Sequence, residues 1–279
     1  MMQSVKRFTY NGFTTEYFDL GPADAPAILF LHSIRSTKEL FRLIMPAFLP
    51  QYRLIAADIR GHGGSSRQGP YTFAQVVEDL AHLLDHETIR EIAIVAASFA
   101  CVPAQLFAAT YPQRVRKLVL LDGGFYNLGD LPGFRIDAQV RKYQQTVFST
   151  LDDVHRAFAR HHPGSTVPPA IAESEVEPDA DGRYRFKLPV EALASYFQEY
   201  ERFDRVALFS RLACPVLLLL SDEENMPLEE GKTFLRHAAA DYLSRTRQAR
   251  AVKIPGSQHL LMLSHPQETV SHTLRFLSE

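Results

Sequence analysis

"EIAIVAASFACVPAQ" (residues 91–105) runs from small and branched apolar residues into a helix-like segment through one serine, Ser98. A short apolar run that does not alternate predicts a strand buried on both faces. Such strands belong to parallel sheets covered by helices, where chemistry gathers at the carboxyl ends of the strands. Ser98 stands at such an end. A sharp strand-to-helix turn strains the serine backbone and points its hydroxyl outward. It also brings together the backbone two residues before and two after, so those positions must be small. Ala96 and Ala100 meet that condition with one methyl each. Pro103 suits the first turn of a helix, where a missing N–H loses no partner. The competing reading is that Ser98 only terminates a buried strand, since small residues often cluster where helices meet sheets.

The surrounding chain repeats the rhythm. "AILFLHS" (27–33) precedes a helical pattern over about 37–48, and "YRLIAADI" (52–59) precedes "TFAQVVEDLAHLLDHE" (72–87). In the last segment Val76, Leu80, Leu83 and Leu84 recur at helical spacing. "KLVLLDG" (117–123) follows a helix ending near Tyr111-Pro112. Upstream, 6–10 and 14–19 alternate as an antiparallel hairpin turning at Asn11-Gly12. From about Phe125 to Leu212 the pattern becomes helical, with a loop-rich interval (164–189) and a possible hairpin at Asp181-Gly182. Strand and helix then alternate again: "PVLLLLS" (215–221), a helix through about Ala239, "ARAVKIPG" (249–256) and a last helix from His265. The expected fold is α/β, a mostly parallel twisted sheet with helices on both faces. Residues 1–124 and 213–279 form the core, and 125–212 a helical cap inserted between them.

Composition narrows the function classes. With 279 residues and 46% apolar content the chain can bury a large core. A formal charge of −2 and no basic stripe argue against nucleic acid or an anionic membrane surface. Cys101 and Cys214, the two cysteines, read as buried hydrophobes. The start has basic residues without an apolar stretch after them, and no run nears the roughly 20 residues that span a bilayer. A soluble cytoplasmic protein is expected. No dinucleotide or phosphate-loop spacing occurs, so no cofactor is inferred.

"LFLHS" (29–33), "DIRGHGGSS" (58–66), the Ser98 corner, "YPQRVRKLVLLDGG" (111–124) and "IPGSQHLLMLSHP" (254–266) come in one order. Together they resemble the α/β-hydrolase fold, in its single-domain branch with a helical cap. The resemblance implies Ser98 as nucleophile and His259 as general base, in the family order serine, acid, histidine. It implies an acid after the strand 215–221, where the family reads Gly-x-x-Asp. Counting forward from Ser221 selects Glu224, whereas counting back from Pro227 selects Glu223; the strand end is the firmer anchor. Asp122 is an outside candidate for the acid, read first as a capping or turn carboxylate.

Two backbone N–H groups, of Phe99 and Ile34, are implied as the oxyanion hole. Ser33 stands where relatives carry glycine, and is strained if that position needs positive φ. Asp58 and Arg60 read as loop scaffold, His32 as structural, and His62 and His161-His162 not as metal ligands. Arg35 reads as solvated, with contact to an anionic group as the alternative. A serine nucleophile implies acyl transfer: hydrolysis of a small-molecule ester or related acyl substrate. A ligand-binding protein without catalysis, or a serine-dependent lyase or perhydrolase, are the alternatives. Phe134, Tyr143, Phe148, Tyr196, Phe197 and Tyr200 are expected near the pocket.

Overall fold

A computed structural model describes residues 5–165 and 167–279. Asn11 and Gly12 take positive φ (48° and 79°), as a two-residue hairpin turn requires. They join β1 (Val5–Tyr10) to β2 (Phe13–Leu20) in antiparallel register. The apolar runs then form β3 (Ala27–Leu31), β4 (Arg53–Ala57), β5 (Ile92–Ala97) and β6 (Val115–Leu121). Between them lie α1 (Phe73–His86) and α2 (Cys101–Thr110).

The next stretch holds α3 (Ile136–Gln145), α4 (Leu151–His161) and α5 (Pro169–Ser174). It continues with a small hairpin of β7 (Val176–Pro178) and β8 (Tyr184–Phe186), then α6 (Val190–Arg202) and α7 (Arg205–Ser210). None of these joins the main sheet. β9 (Val216–Leu220), α8 (Glu229–Arg245), β10 (Ala249–Lys253), α9 (Leu261–Ser264) and α10 (Pro266–Ser278) complete the order.

The eight-stranded sheet runs β1-β2-β4-β3-β5-β6-β9-β10. β2 pairs antiparallel with both its neighbours, and every later pairing is parallel. Successive strand residues enter opposite layers, as pleating demands. Leu29, Ile94 and Leu118 pack with Val76, Leu80 and Phe107 of α1 and α2, while Phe30, Val95 and Val119 pack with Phe41, Phe48 and Phe276 on the other face.

Two expectations shift. The helix expected over 37–48 is instead two 3-10 turns, Lys38–Phe41 and Met45–Ala47. Pro46 has no N–H to donate, and its ring would clash with the carbonyl of Arg42 in an α-helix. The helix expected to end near Ala239 continues to Arg245. Among the described residues no helix is long and apolar enough to cross a membrane.

Candidate active site

Strand register assembles the site. β5 and β6 are parallel neighbours with Ala97 opposite Leu121, so the next residues, Ser98 and Asp122, emerge side by side at the carboxyl edge. Both take the left-handed backbone, at φ 55° and 52°, a conformation that costs a non-glycine residue of order 1–3 kcal/mol. Ser98 then opens a helical turn that continues into α2. Ala96 and Ala100 are fully buried beneath it. Gly123 presses from the β6 side: a Cβ there would overlap the Ser98 backbone.

His259, in the loop between β10 and α9, reaches this edge. Its Nδ1–H donates to Asp122 Oδ2 at 2.7 Å. An ionised carboxylate accepts only, so Nε2 is left as the acceptor for the Ser98 hydroxyl, 2.8 Å away. Ser221, at the end of β9, adds two donors to Asp122: its N–H to Oδ1 (2.9 Å) and its hydroxyl to Oδ2 (2.7 Å). Desolvation by the surrounding protein opposes a charged His259 ring, although the side chain is half exposed, and the Asp122 hydrogen bond and charge outweigh it and raise the pKa above 6.5.

This geometry corrects the expected acid. Neither Glu223 nor Glu224 meets His259. Glu223 pairs with Arg236 and Lys253, and Glu224 with Lys232 and Arg236. Those partners lie on α8 and β10, so the turn after β9 is drawn outward toward them. The carboxylate comes one strand earlier, and the end of β9 supplies its donors instead. A signal was present in "LLDGG" (120–124): an aspartate at a buried strand end, followed by two residues without side chains.

The loop after β3 lies opposite. Among the described residues the Ile34 N–H donates to no protein acceptor. The Phe99 N–H, second in its helical turn, has no acceptor within that turn. Ser33 is not the strained residue of this loop; Arg35 is, at φ 67°. Two buried histidines hold the loop. His32 Nδ1–H donates to the Ser33 carbonyl (2.8 Å) and its Nε2 accepts from the Ile59 N–H (3.0 Å). His62 Nδ1–H donates to the Arg60 carbonyl (3.2 Å) and its Nε2 accepts from the Arg35 N–H (3.2 Å). Burial pushes His32 down to about 3 and His62 well below the ordinary value, so both rings stay neutral. Sequence reasoning did not find the role of His62.

Asp58 is the anchor beneath them. It accepts from the Lys38 N–H and ammonium (both 2.7 Å) and from the Gly64 N–H (2.9 Å). Arg60 pairs with Asp79. His161 ends α4 and donates to the Ala157 carbonyl.

A cavity of about 960 Å³ opens over Ser98, lined by both the sheet edge and the inserted segment. Phe134, Tyr143, Phe148, Phe197 and Tyr200 line it. Tyr196 does not: it is buried against Phe99 and His62, with its hydroxyl donating to the Arg60 carbonyl. Glu175, absent from the sequence reading, also lines the cavity; burial raises its carboxyl to about 7 against the opposing charge of Arg35 and the Ser36 hydroxyl. That hydroxyl donates to it at 2.9 Å.

Residues 26–266 match the family model described as alpha/beta hydrolase fold, and the chain belongs to that family. It is 37% identical over 117 residues to proline iminopeptidase PfmaB of Pestalotiopsis fici, spanning 39% of this chain and 41% of that protein. It is 27% identical over 191 residues to lipase LipV of Mycobacterium tuberculosis, spanning 65% and 69%. The match thus covers less than half the length of the iminopeptidase. The crystal structure of E-2-(acetamidomethylene)succinate hydrolase is similar in fold, with TM-score 0.85 at 23% identity over 99% of this chain and 100% of that one.

Proposed function

We propose that this chain is a serine hydrolase that cleaves a carboxylic ester or related acyl compound through an acyl-enzyme. The line of hydrogen bonds from Asp122 through His259 to Ser98, at 2.7 and 2.8 Å, carries this reading. A serine hydroxyl attacks only when a neighbouring base takes its proton. His259 Nε2 accepts that proton as Oγ bonds to the acyl carbon, and the carbonyl electron pair moves onto oxygen. The Ile34 and Phe99 N–H groups stabilise the resulting oxyanion. When the intermediate collapses, the alcohol leaves with the proton from His259. Water then repeats the sequence on the acyl-enzyme. Asp122 holds the Nδ1–H tautomer and stabilises the imidazolium. The segment 125–212 serves as a cap, forming one wall of the pocket. The name of the lipase relative supports an ester bond.

The test joins labelling with turnover. A fluorophosphonate should modify Ser98, located by mass spectrometry. Activity on p-nitrophenyl esters of graded acyl length should vanish in Ser98→Ala and His259→Ala, whereas Glu223→Gln and Glu224→Gln should stay near the parent rate. Neither labelling nor turnover anywhere in the panel would leave a ligand-binding protein on this fold.

A further inference from the structure

Charge is distributed unevenly around the cavity. Arg35 follows the Ile34 N–H donor directly and lines the same cavity as Ser98. Among the described residues it forms no ion pair, although most arginines of the chain do. Its backbone is fixed, and its exposed side chain lies over one aromatic ring. The backbone holds φ at 67°, His62 accepts its N–H, and the guanidinium lies 5.4 Å from the ring centre of Phe186 on β8.

Two more cations, Lys142 of α3 and Arg160 of α4, line the cavity without an ion pair among the described residues. None of the acids lining the cavity forms an ion pair with them. Asp122 is committed to His259 and Ser221, and Asp222 to the Gly256 and Glu224 N–H groups. Glu175 accepts from Ser36 and makes no ion pair with the arginine, and burial raises its carboxyl to about 7 although the Arg35 charge opposes that rise. The rest of the wall is mainly aromatic and aliphatic.

We infer that Arg35 binds a carboxylate carried by the substrate, with Lys142 and Arg160 attracting it at the rim, so that the acyl compound cleaved at Ser98 is a half-ester of a dicarboxylic acid or a close analogue. An unpaired guanidinium offers a planar fork that a carboxylate fills with two hydrogen bonds. One guanidinium balances one negative charge. The apolar wall takes the chain linking the two carboxyl groups. This rests on the serine-hydrolase reading only for the bond that is cut; binding of the anion does not need it.

The test compares the mono-p-nitrophenyl ester of adipic acid with its methyl-capped diester. The parent enzyme should favour the free acid by roughly 10- to 100-fold in kcat/KM, the range of a hydrogen bond to a charged group. The ratio should fall toward one in Arg35→Gln, chiefly through KM, and recover in part in Arg35→Lys. Because both esters are measured on each variant, general damage cancels. Calorimetric binding of monomethyl adipate to Ser98→Ala, with and without Arg35→Gln, is independent of chemistry. If no ester turns over but Arg35-dependent binding persists, the hydrolase reading fails and this one stands. A parent ratio near one, binding indifferent to Arg35, or displacement by inorganic phosphate more readily than by acetate overturns it.

Discussion

In the proposed reaction His259 can act as a base only while its ring is neutral, and Asp122 makes it harder to keep neutral. Burial alone would lower the pKa, but the Asp122 carboxylate raises it above 6.5. The acid limb of kcat/KM should therefore lie above pH 6.5, because the base is protonated earlier as pH falls. In Asp122→Asn only the opposing partial desolvation remains. The limb should move to lower pH while the rate drops by about 10⁴, through loss of the correct tautomer. An unmoved limb in the pH–rate profile would remove Asp122 from this role. Glu175 runs in the opposite sense. Its folded pKa of about 7 exceeds the ordinary 4.5, so between those values the folded state holds a proton the unfolded chain has lost. Stability from this group then falls as pH rises, by about 3 kcal/mol once pH passes 7. Glu175→Gln should raise unfolding free energy by that order at pH 8 and change it little at pH 5, read by urea titration. An equal effect at both values would place the group's pKa elsewhere.

Strand ends and the loops that leave them, rather than isolated side chains, bring Ser98, Asp122 and His259 together. β5 and β6 leave the sheet in register, so their loops share one small volume. Gly123 is where they touch: a methyl group would strike the Ser98 backbone, which cannot swing aside as a side chain can. Gly182, at the tip of the β7–β8 hairpin, has φ 76° but open space around it. Gly182→Ala should therefore cost only the left-handed backbone, about 1–2 kcal/mol. Gly123→Ala should cost more and also abolish fluorophosphonate labelling of Ser98. Comparable melting temperatures, with labelling intact, would mean the two strand ends are not so close. The sequence made the strands themselves legible, since both-face burial writes near-continuous apolar runs, as in "AILFL" and "IAIVAA". The meeting of Ser98 with His259 was legible too, because a cramped corner and a loop after the last strand leave local marks. The carboxylate that meets His259 was not. Any strand end near Ser98 offers a carboxylate a place, and only pairing of β6 directly with β5 decides among them. That pairing is a long-range fact, invisible to a count along the chain. Lys253, which with Lys232 and Arg236 draws Glu223 and Glu224 away, is likewise 30 residues from Glu223.

The segment between β6 and β9 has little core of its own. Val154, Ala172 and Val176 form its separate buried cluster, whereas Leu193, Tyr196, Tyr200, Leu208 and Phe209 are buried in the main core beside the sheet. Polar ties cross the same boundary. The Tyr196 hydroxyl donates to the Arg60 carbonyl, the Ser195 hydroxyl to the Tyr71 carbonyl, and the Phe73 N–H to Glu199. Arg67 and Glu177 add a two-pronged ion pair at the surface. A unit that buries its apolar face mostly against another has nothing to hold it folded once they part. Sheet and insertion should thus unfold in one calorimetric transition, with calorimetric and van't Hoff enthalpies in agreement. Two substitutions grade the contact. Tyr196→Ala empties a buried site under the insertion and should cost about 3–5 kcal/mol, as aromatic truncations in cores do. Arg67→Ala breaks a half-exposed pair and should cost less than about 1 kcal/mol. Both should shift the same single peak. Two peaks in the parent, with Tyr196→Ala lowering only one of them, would show that the insertion folds as an independent body and that the cavity wall can detach without loss of the sheet.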